Sequence, residues 1–152
     1  RLADRKKLKK LSYLPSAETG MQIVIGFMKS IFSMKAPWPL WVVTLMALNM
    51  MGPLFFIHTL EAKAVLVSTL AGGVLMMFLF GRYGFVRLLG LGHFFWIPLV
   101  IWLGTRIPET GLSTPFGFWL ALVLVANIIS LVIDVLDVSL YIRGDRKPMV
   151  AN

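Results

Sequence analysis

The chain has 152 residues, of which 58% are hydrophobic and 14% are charged, and its formal net charge is +8. Its mean hydropathy of +0.82 corresponds to more apolar surface than a soluble chain of this length could bury, so the composition indicates a membrane protein. The absence of cysteine excludes disulfides, thiolate metal ligands and haem attachment through a C-x-x-C-H motif.

The first fourteen residues form a basic arm with leucines between the charges. Six of its first ten residues are cationic: Arg1, Arg5, Lys6, Lys7, Lys9 and Lys10. In a chain this apolar, such a cluster is typical of contact with anionic lipid headgroups and of a topological signal, rather than of nucleic-acid binding. We expect anionic lipids, and no nucleic acid, as partners of this arm.

The segment between Pro15 and Pro37 shows the periodicity of an amphipathic helix. Its apolar face comprises Met21, Val24, Ile25, Met28, Ile31 and Phe32, and its other face comprises Gln22, Gly26, Lys29, Ser30 and Ser33. Ser16 is a candidate N-cap, and Pro37 is the expected stop. The helix is too polar to span, so the pattern predicts an interfacial helix. Docking of its apolar face on the cytoplasmic ends of the other helices is the alternative.

Three apolar segments follow, each long enough to cross a membrane. The first, residues 39–60, begins beside Trp38 and is interrupted by Pro53, and residues 61–63 are expected to turn the chain. The second, residues 64–81, has small residues at every fourth position, which favours close helix packing. The third, residues 88–105, contains His93. The packing residues of the second span are Ala64, Ser68 and Gly72.

The fourth span, residues 116–142, carries a polar stripe. Its members follow helical spacing and therefore share one face: Asn127, Ser130, Asp134, Asp137 and Tyr141. Because carboxylates facing lipid tails would be costly, this face must meet protein, water or the interface.

The distribution of Lys and Arg predicts that both termini are cytoplasmic. With the N-terminus inside, 13 cations fall on the inner side and only Lys63 and Arg106 fall outside. The sequence therefore predicts an all-α protein with four transmembrane helices and an interfacial N-terminal helix, in a bacterial inner membrane or a plasma membrane. We divide it into a basic arm and amphipathic helix (1–36), a four-helix domain (37–143) and a cytoplasmic tail (144–152).

Polar residues within the spans are the candidates for ligand binding or pairing: Asn49, His58 and His93, besides the stripe. A haem held by two histidines is disfavoured, because His58 and His93 belong to opposite leaflets. Ligation of a pigment or haem by a single histidine stays open, and no cofactor is required by the sequence. A metal site made of His93, Asp134 and Asp137 rests on weak spacing, and we predict none. No nucleophile elbow accompanies Ser130, Asp134 and His93, so we predict no catalytic residues.

The stripe has two interpretations. In the first, it fixes helix packing in a non-enzymatic structural or accessory subunit of a membrane complex or homo-oligomer, whose partners are other membrane subunits or further copies of the chain. In the second, Asp134 and Asp137 form the cation or proton site of a small oligomeric transporter or channel. The apolar outer half of the fourth span favours the first.

Overall fold

The structure is a computed structural model, and it describes residues 20–149. The predicted headgroup contacts of the basic arm, including Arg5, Lys6, Lys7, Lys9 and Lys10, and the candidate N-cap Ser16 lie outside the described residues. Between residues 20 and 149 all regular elements are helical and there is no strand. They are α1 (Gly20–Phe32), α2 (Trp38–Met46), a π-helical turn (Ala47–Met51), α3 (Gly52–Phe55), α4 (Leu60–Tyr83), a 3₁₀ segment (Arg87–Phe95), α5 (Trp96–Thr110) and α6 (Pro115–Ile142).

Four helical stretches are long and apolar enough to cross a membrane: Trp38–Phe55, Leu60–Tyr83, Arg87–Thr110 and Pro115–Ile142, of 18, 24, 24 and 28 residues. They run in alternating directions, with short turns between them. One end of the bundle carries the turn at residues 84–86 and the chain after α6, and we call it the Arg87 end. The opposite end carries the turns at 56–59 and 111–114, and we call it the Arg106 end.

The turn between the first two spans lies earlier than the sequence predicted. Residues 61–63 belong to α4, and the chain reverses over residues 56–59 instead. The reason is a helix cap: the Thr59 hydroxyl accepts a hydrogen bond from the backbone N–H of Ala62 at 3.2 Å, which satisfies a donor of the first turn. The third span also extends beyond the predicted Thr105, to Thr110.

Pro53 explains why the first span is irregular. A proline has no N–H to donate to the carbonyl four residues earlier, and its ring crowds that carbonyl. The helix widens just before it, so that the N–H of Gly52 bonds the carbonyl of Ala47, five residues back. This pattern leaves the Leu48 carbonyl without its usual helical donor. The indole Nε1 of Trp119, on α6, donates to that carbonyl at 3.1 Å.

The 3₁₀ segment lies between α4 and α6 and contacts both extensively. Two glycines permit this. A Cβ at Gly92 would overlap Met76, and one at Gly72 of α4 would overlap the Gly92 carbonyl oxygen. On the other side, a Cβ at Gly90 would meet the side chain of Asp134 at 2.9 Å. The segment is therefore held by close backbone contact, although 3₁₀ runs longer than about four residues are uncommon.

Helix α1 packs on the Arg87 end through Ile31 and Met28 of the predicted apolar face, together with Phe27 beside it. Ile31 is buried with Leu79, Phe85 and Leu89, and Phe27 packs beside them. The apolar face assigned from the sequence is left mostly exposed, including Met21, Val24, Ile25 and Phe32. The helix thus has one packed and one exposed apolar side.

Candidate functional site

The polar stripe of α6 faces the interior of the bundle. Asn127 and Ser130 are buried, while Asp134, Asp137 and Tyr141 are partly buried. The apolar residues on the opposite side of α6 are exposed, among them Val125, Ile128, Val132, Val135 and Leu136. Burial of the polar side and exposure of the apolar side is the arrangement expected of a helix surrounded by lipid.

The innermost layer of the stripe is a pair of asparagines. Asn49, in the π-helical turn, donates from Nδ2 to Oδ1 of Asn127 at 2.9 Å, and Nδ2 of Asn127 donates back to Oδ1 of Asn49 at 2.8 Å. Asn49 also donates to the carbonyl of Leu45 at 3.0 Å. Both amides are fully buried, so the two hydrogen bonds fix the register between the first and fourth spans.

The second layer joins a histidine to an aspartate. Nδ1 of His93, in the 3₁₀ segment, lies 2.7 Å from Oδ2 of Asp134. The imidazole stacks on the indole of Trp96, with 4.1 Å between ring centroids and 23° between planes. Trp96 is buried, and its Nε1 has no hydrogen-bond partner in the part of the chain that the structure describes. This layer connects the third span to the fourth.

The third layer lies at the Arg87 end. The guanidinium of Arg87 donates from Nη1 to Asp137 and from Nε to Oδ2 of Asp145, at 3.1 Å. One turn further along, the guanidinium carbon of Arg146 lies 5.4 Å from the ring centroid of Tyr141. Arg87 thereby holds the start of the third span, the end of the fourth and the chain that follows it in one arrangement.

The predicted packing residues of α4 are used within the chain. Gly72 is buried against Gly92, while Ala64 and Ser68 are half-buried. The stripe and this row of small residues therefore serve contacts between spans of the same molecule. Packing of a second copy of the chain against these residues stays a prediction.

The remaining candidate, His58, is exposed in the turn at the Arg106 end and belongs to no layer of the stripe. The same end contains a contact that the sequence did not predict. Arg106 donates from Nε to Oε1 of Glu61 at 2.8 Å and from Nη1 to Glu109. Glu61 is only 6% exposed. The signal was available in the sequence: Arg106 and the carboxylate Glu61 flank neighbouring turns on one side of the membrane.

Within residues 20–149, no group of three or more His, Cys, Asp or Glu side chains is arranged to hold a metal ion. Asp134 and Asp137, which the sequence placed together, have different partners. Two surface depressions lie away from the stripe, one along α1 beside Met28 and one between Trp41 and Ile133.

Taken together, the four apolar helices define the chain as an integral membrane protein of the helical type. Comparisons with protein families, with curated proteins and with solved structures gave no match.

Proposed function

We propose that this protein is a non-enzymatic structural or accessory subunit of a membrane complex. One observation carries the proposal: the amide and carboxylate groups of the stripe each have a partner in the same chain. Asn127 is paired with Asn49, Asp134 with His93, and Asp137 with Arg87. Groups engaged in this way fix the positions of helices, because breaking a buried polar pair inside a membrane is costly.

The shape of the chain supports this role. The turns between the spans are a few residues long, which leaves no volume for an extramembrane catalytic domain between them. The outward faces of the spans are rows of exposed apolar side chains, for example Val67, Val74 and Phe78 on α4. Such faces suit lipid or the apolar spans of other membrane subunits, and we propose that part of this surface meets those subunits.

We further propose that the Arg87 end faces the cytoplasm of a bacterial inner membrane or plasma membrane. Seven described cations belong to that end: Lys29, Lys35, Arg82, Arg87, Arg143, Arg146 and Lys147. Of the cations within residues 20–149, only Lys63 and Arg106 belong to the other end. This imbalance is the pattern that the positive-inside rule associates with the cytoplasmic side.

The exposed side of α1 lies at this same end. Its apolar residues adjoin Lys29, a combination that suits the boundary between acyl chains and anionic headgroups. At 13 residues, α1 is too short to cross a bilayer. We propose that this side of α1 rests on the membrane interface while its other side stays packed on Leu79.

A small transporter with a cation site at Asp134 and Asp137 remains the second candidate. The pairing of Asp137 with Arg87 makes a cation ligand of it less suitable, since the guanidinium already supplies the positive charge. The observation that favours this candidate is His93 with Asp134, whose side chains retain 18% and 15% exposure.

The deciding experiment is extraction of the tagged chain from its native membrane in mild detergent, with native mass determination and an absorption spectrum on the same sample. A subunit should co-purify with other membrane polypeptides in fixed stoichiometry, and a visible band would add a bound pigment or haem. Replacing the exposed Val74 by Trp tests the outward face. Val132→Trp makes the same change on the exposed face of α6, and loss of co-purification in one variant but not the other identifies the helix that meets the other subunits.

The opposite result is equally clear. If the chain purifies alone and, in liposomes, carries a cation or proton flux that Asp134→Asn abolishes, the subunit proposal is wrong and the transporter replaces it.

A further inference from the structure

Among the ion pairs within residues 20–149, the contact between His93 and Asp134 differs from the others in one respect. The other four use an arginine, which stays charged at any physiological pH. An imidazole instead gains or loses its proton near neutral pH. Among these pairs, the Asp134 carboxylate is thus the one carboxylate whose partner can lose its positive charge.

The surrounding charges favour keeping that partner positive. Arg87 is shared by Asp137 and Asp145, so its single charge is already exceeded by two carboxylates. Asp134, one helical turn before Asp137, adds a third. Without a proton on the pair, this group of side chains would carry a net charge of −2 at the edge of the membrane interior, which is electrostatically unfavourable.

Among the described residues, the ion-pair partner of Asp134 is His93. The other cations of the Arg87 end besides Arg87 are exposed: Lys29, Lys35, Arg82, Arg143, Arg146 and Lys147. The first span, Trp38–Phe55, contains no charged residue. On α4 the charged residues are Glu61, Lys63 and Arg82, at its two ends, and on α5 they are Arg106 and Glu109, which pair with Glu61 at the opposite end of the bundle. On α1, Lys29 is exposed.

The aromatic contact also favours a cation. The imidazole lies flat against the indole of Trp96, whose ring face attracts positive charge. Because Trp96 is buried among Leu99 and Val123, its plane is fixed, and the stacked ring keeps Nδ1 directed at Asp134.

We propose that His93 and Asp134 form a proton-binding site inside the bundle, which at neutral pH holds one proton more than a neutral imidazole beside an ionised carboxylate. With the proton bound, the pair is neutral overall. When the proton leaves for water, a net charge of −1 remains, and the bond from the 3₁₀ segment to α6 loses its charge-assisted character. The site goes beyond the proposed structural role, which requires only the hydrogen bond.

The chain offers a direct test, since it contains two histidines. In a His58→Gln background, His93 is the single imidazole, and its ¹⁵N resonances in lipid nanodiscs report whether one or both ring nitrogens carry a proton. Infrared spectra of the same sample report a protonated carboxyl group. The measurement is made at pH of about 7.5, where a free imidazole and a free carboxyl are both mostly deprotonated.

The proposal expects either a doubly protonated imidazole or a protonated Asp134 carboxyl group at that pH. Asp134→Asn should remove the proton and leave a neutral imidazole, whereas the matched change Asp145→Asn should leave the proton in place. A neutral imidazole beside an ionised Asp134 in the otherwise unaltered chain would overturn the proposal. This measurement on the otherwise unaltered chain does not depend on whether any aspartate variant folds. A negative result would leave the proposed subunit role intact.

Discussion

Asn49 and Asn127 donate to each other across the interface of the first and fourth spans, at 2.9 and 2.8 Å. Both side chains are completely buried. The two residues are 78 positions apart in the chain. Each carboxamide donates one hydrogen bond to the other and accepts one from it.

The asparagine pair predicts a non-additive mutant cycle. Asn127→Leu should lower the free energy of unfolding by about 1 to 2 kcal/mol, because the buried Asn49 amide then lacks its hydrogen-bond partner. The double variant Asn49→Leu with Asn127→Leu should recover part of that loss. Reversible unfolding in mixed micelles measures both. Ile128→Leu, an exposed change on the same helix, is the control, and strict additivity of the two asparagine changes would contradict the prediction.

The hydrogen bond from Trp119 to Leu48 predicts that Trp119→Phe destabilises the bundle by about 1 kcal/mol beyond the effect of lost volume. The reason is that the widened turn before Pro53 leaves the Leu48 carbonyl without a helical donor. Trp102→Phe removes the same atoms from a partly buried indole that packs against the same core. Thermal unfolding of the two variants is the comparison, and equal losses would mean that the bond adds nothing.

Two adjacent glycines give a matched test of close packing on α4. Gly72→Ala should loosen the contact with Gly92 and lower the unfolding temperature, since the added Cβ would overlap a backbone carbonyl. Gly73→Ala meets nothing within 4 Å and should be neutral or stabilising by up to about 1 kcal/mol, because alanine favours the helix. If both variants melt alike, Gly72 is not a packing constraint.

The pair between Glu61 and Arg106 predicts an asymmetry between two carboxylates. Glu61→Gln removes a charge from a side chain that is 7% exposed, whereas Glu109→Gln changes one that is 61% exposed. We expect the first to destabilise by about 1 kcal/mol or more and the second by less than about 0.5 kcal/mol. Chemical unfolding at low and high salt distinguishes them, and only the exposed contact should weaken with salt.

The absence of native cysteine makes the orientation testable by single cysteine substitutions. Lys147→Cys should react with an impermeant thiol reagent only after the membrane is opened, and Lys63→Cys should react in intact cells. This follows from a cytoplasmic Arg87 end. The reverse pattern would invert the topology without altering the helical fold.

The sequence by itself determined the helical class, the number of apolar helices and the polar face of the fourth span. Those properties depend on local composition and on the period of one helix, so they can be read without knowledge of the neighbours. The row from Asn127 to Tyr141 is of this kind. Its direction toward the interior follows from the cost of exposing carboxylates to lipid.

The tertiary structure decided which partner each polar group has. The stripe does not specify which residue Asp134 contacts, and only the packing of the 3₁₀ segment against α6 selects His93. Likewise, local periodicity does not explain why α1 packs Ile31 and Phe27 on the bundle while Val24 and Ile25 stay exposed. Such choices depend on contacts between segments far apart in the chain, where glycine positions and helix irregularities set which side chains can approach. The hydrophobic periodicity of a single helix therefore does not predict these contacts.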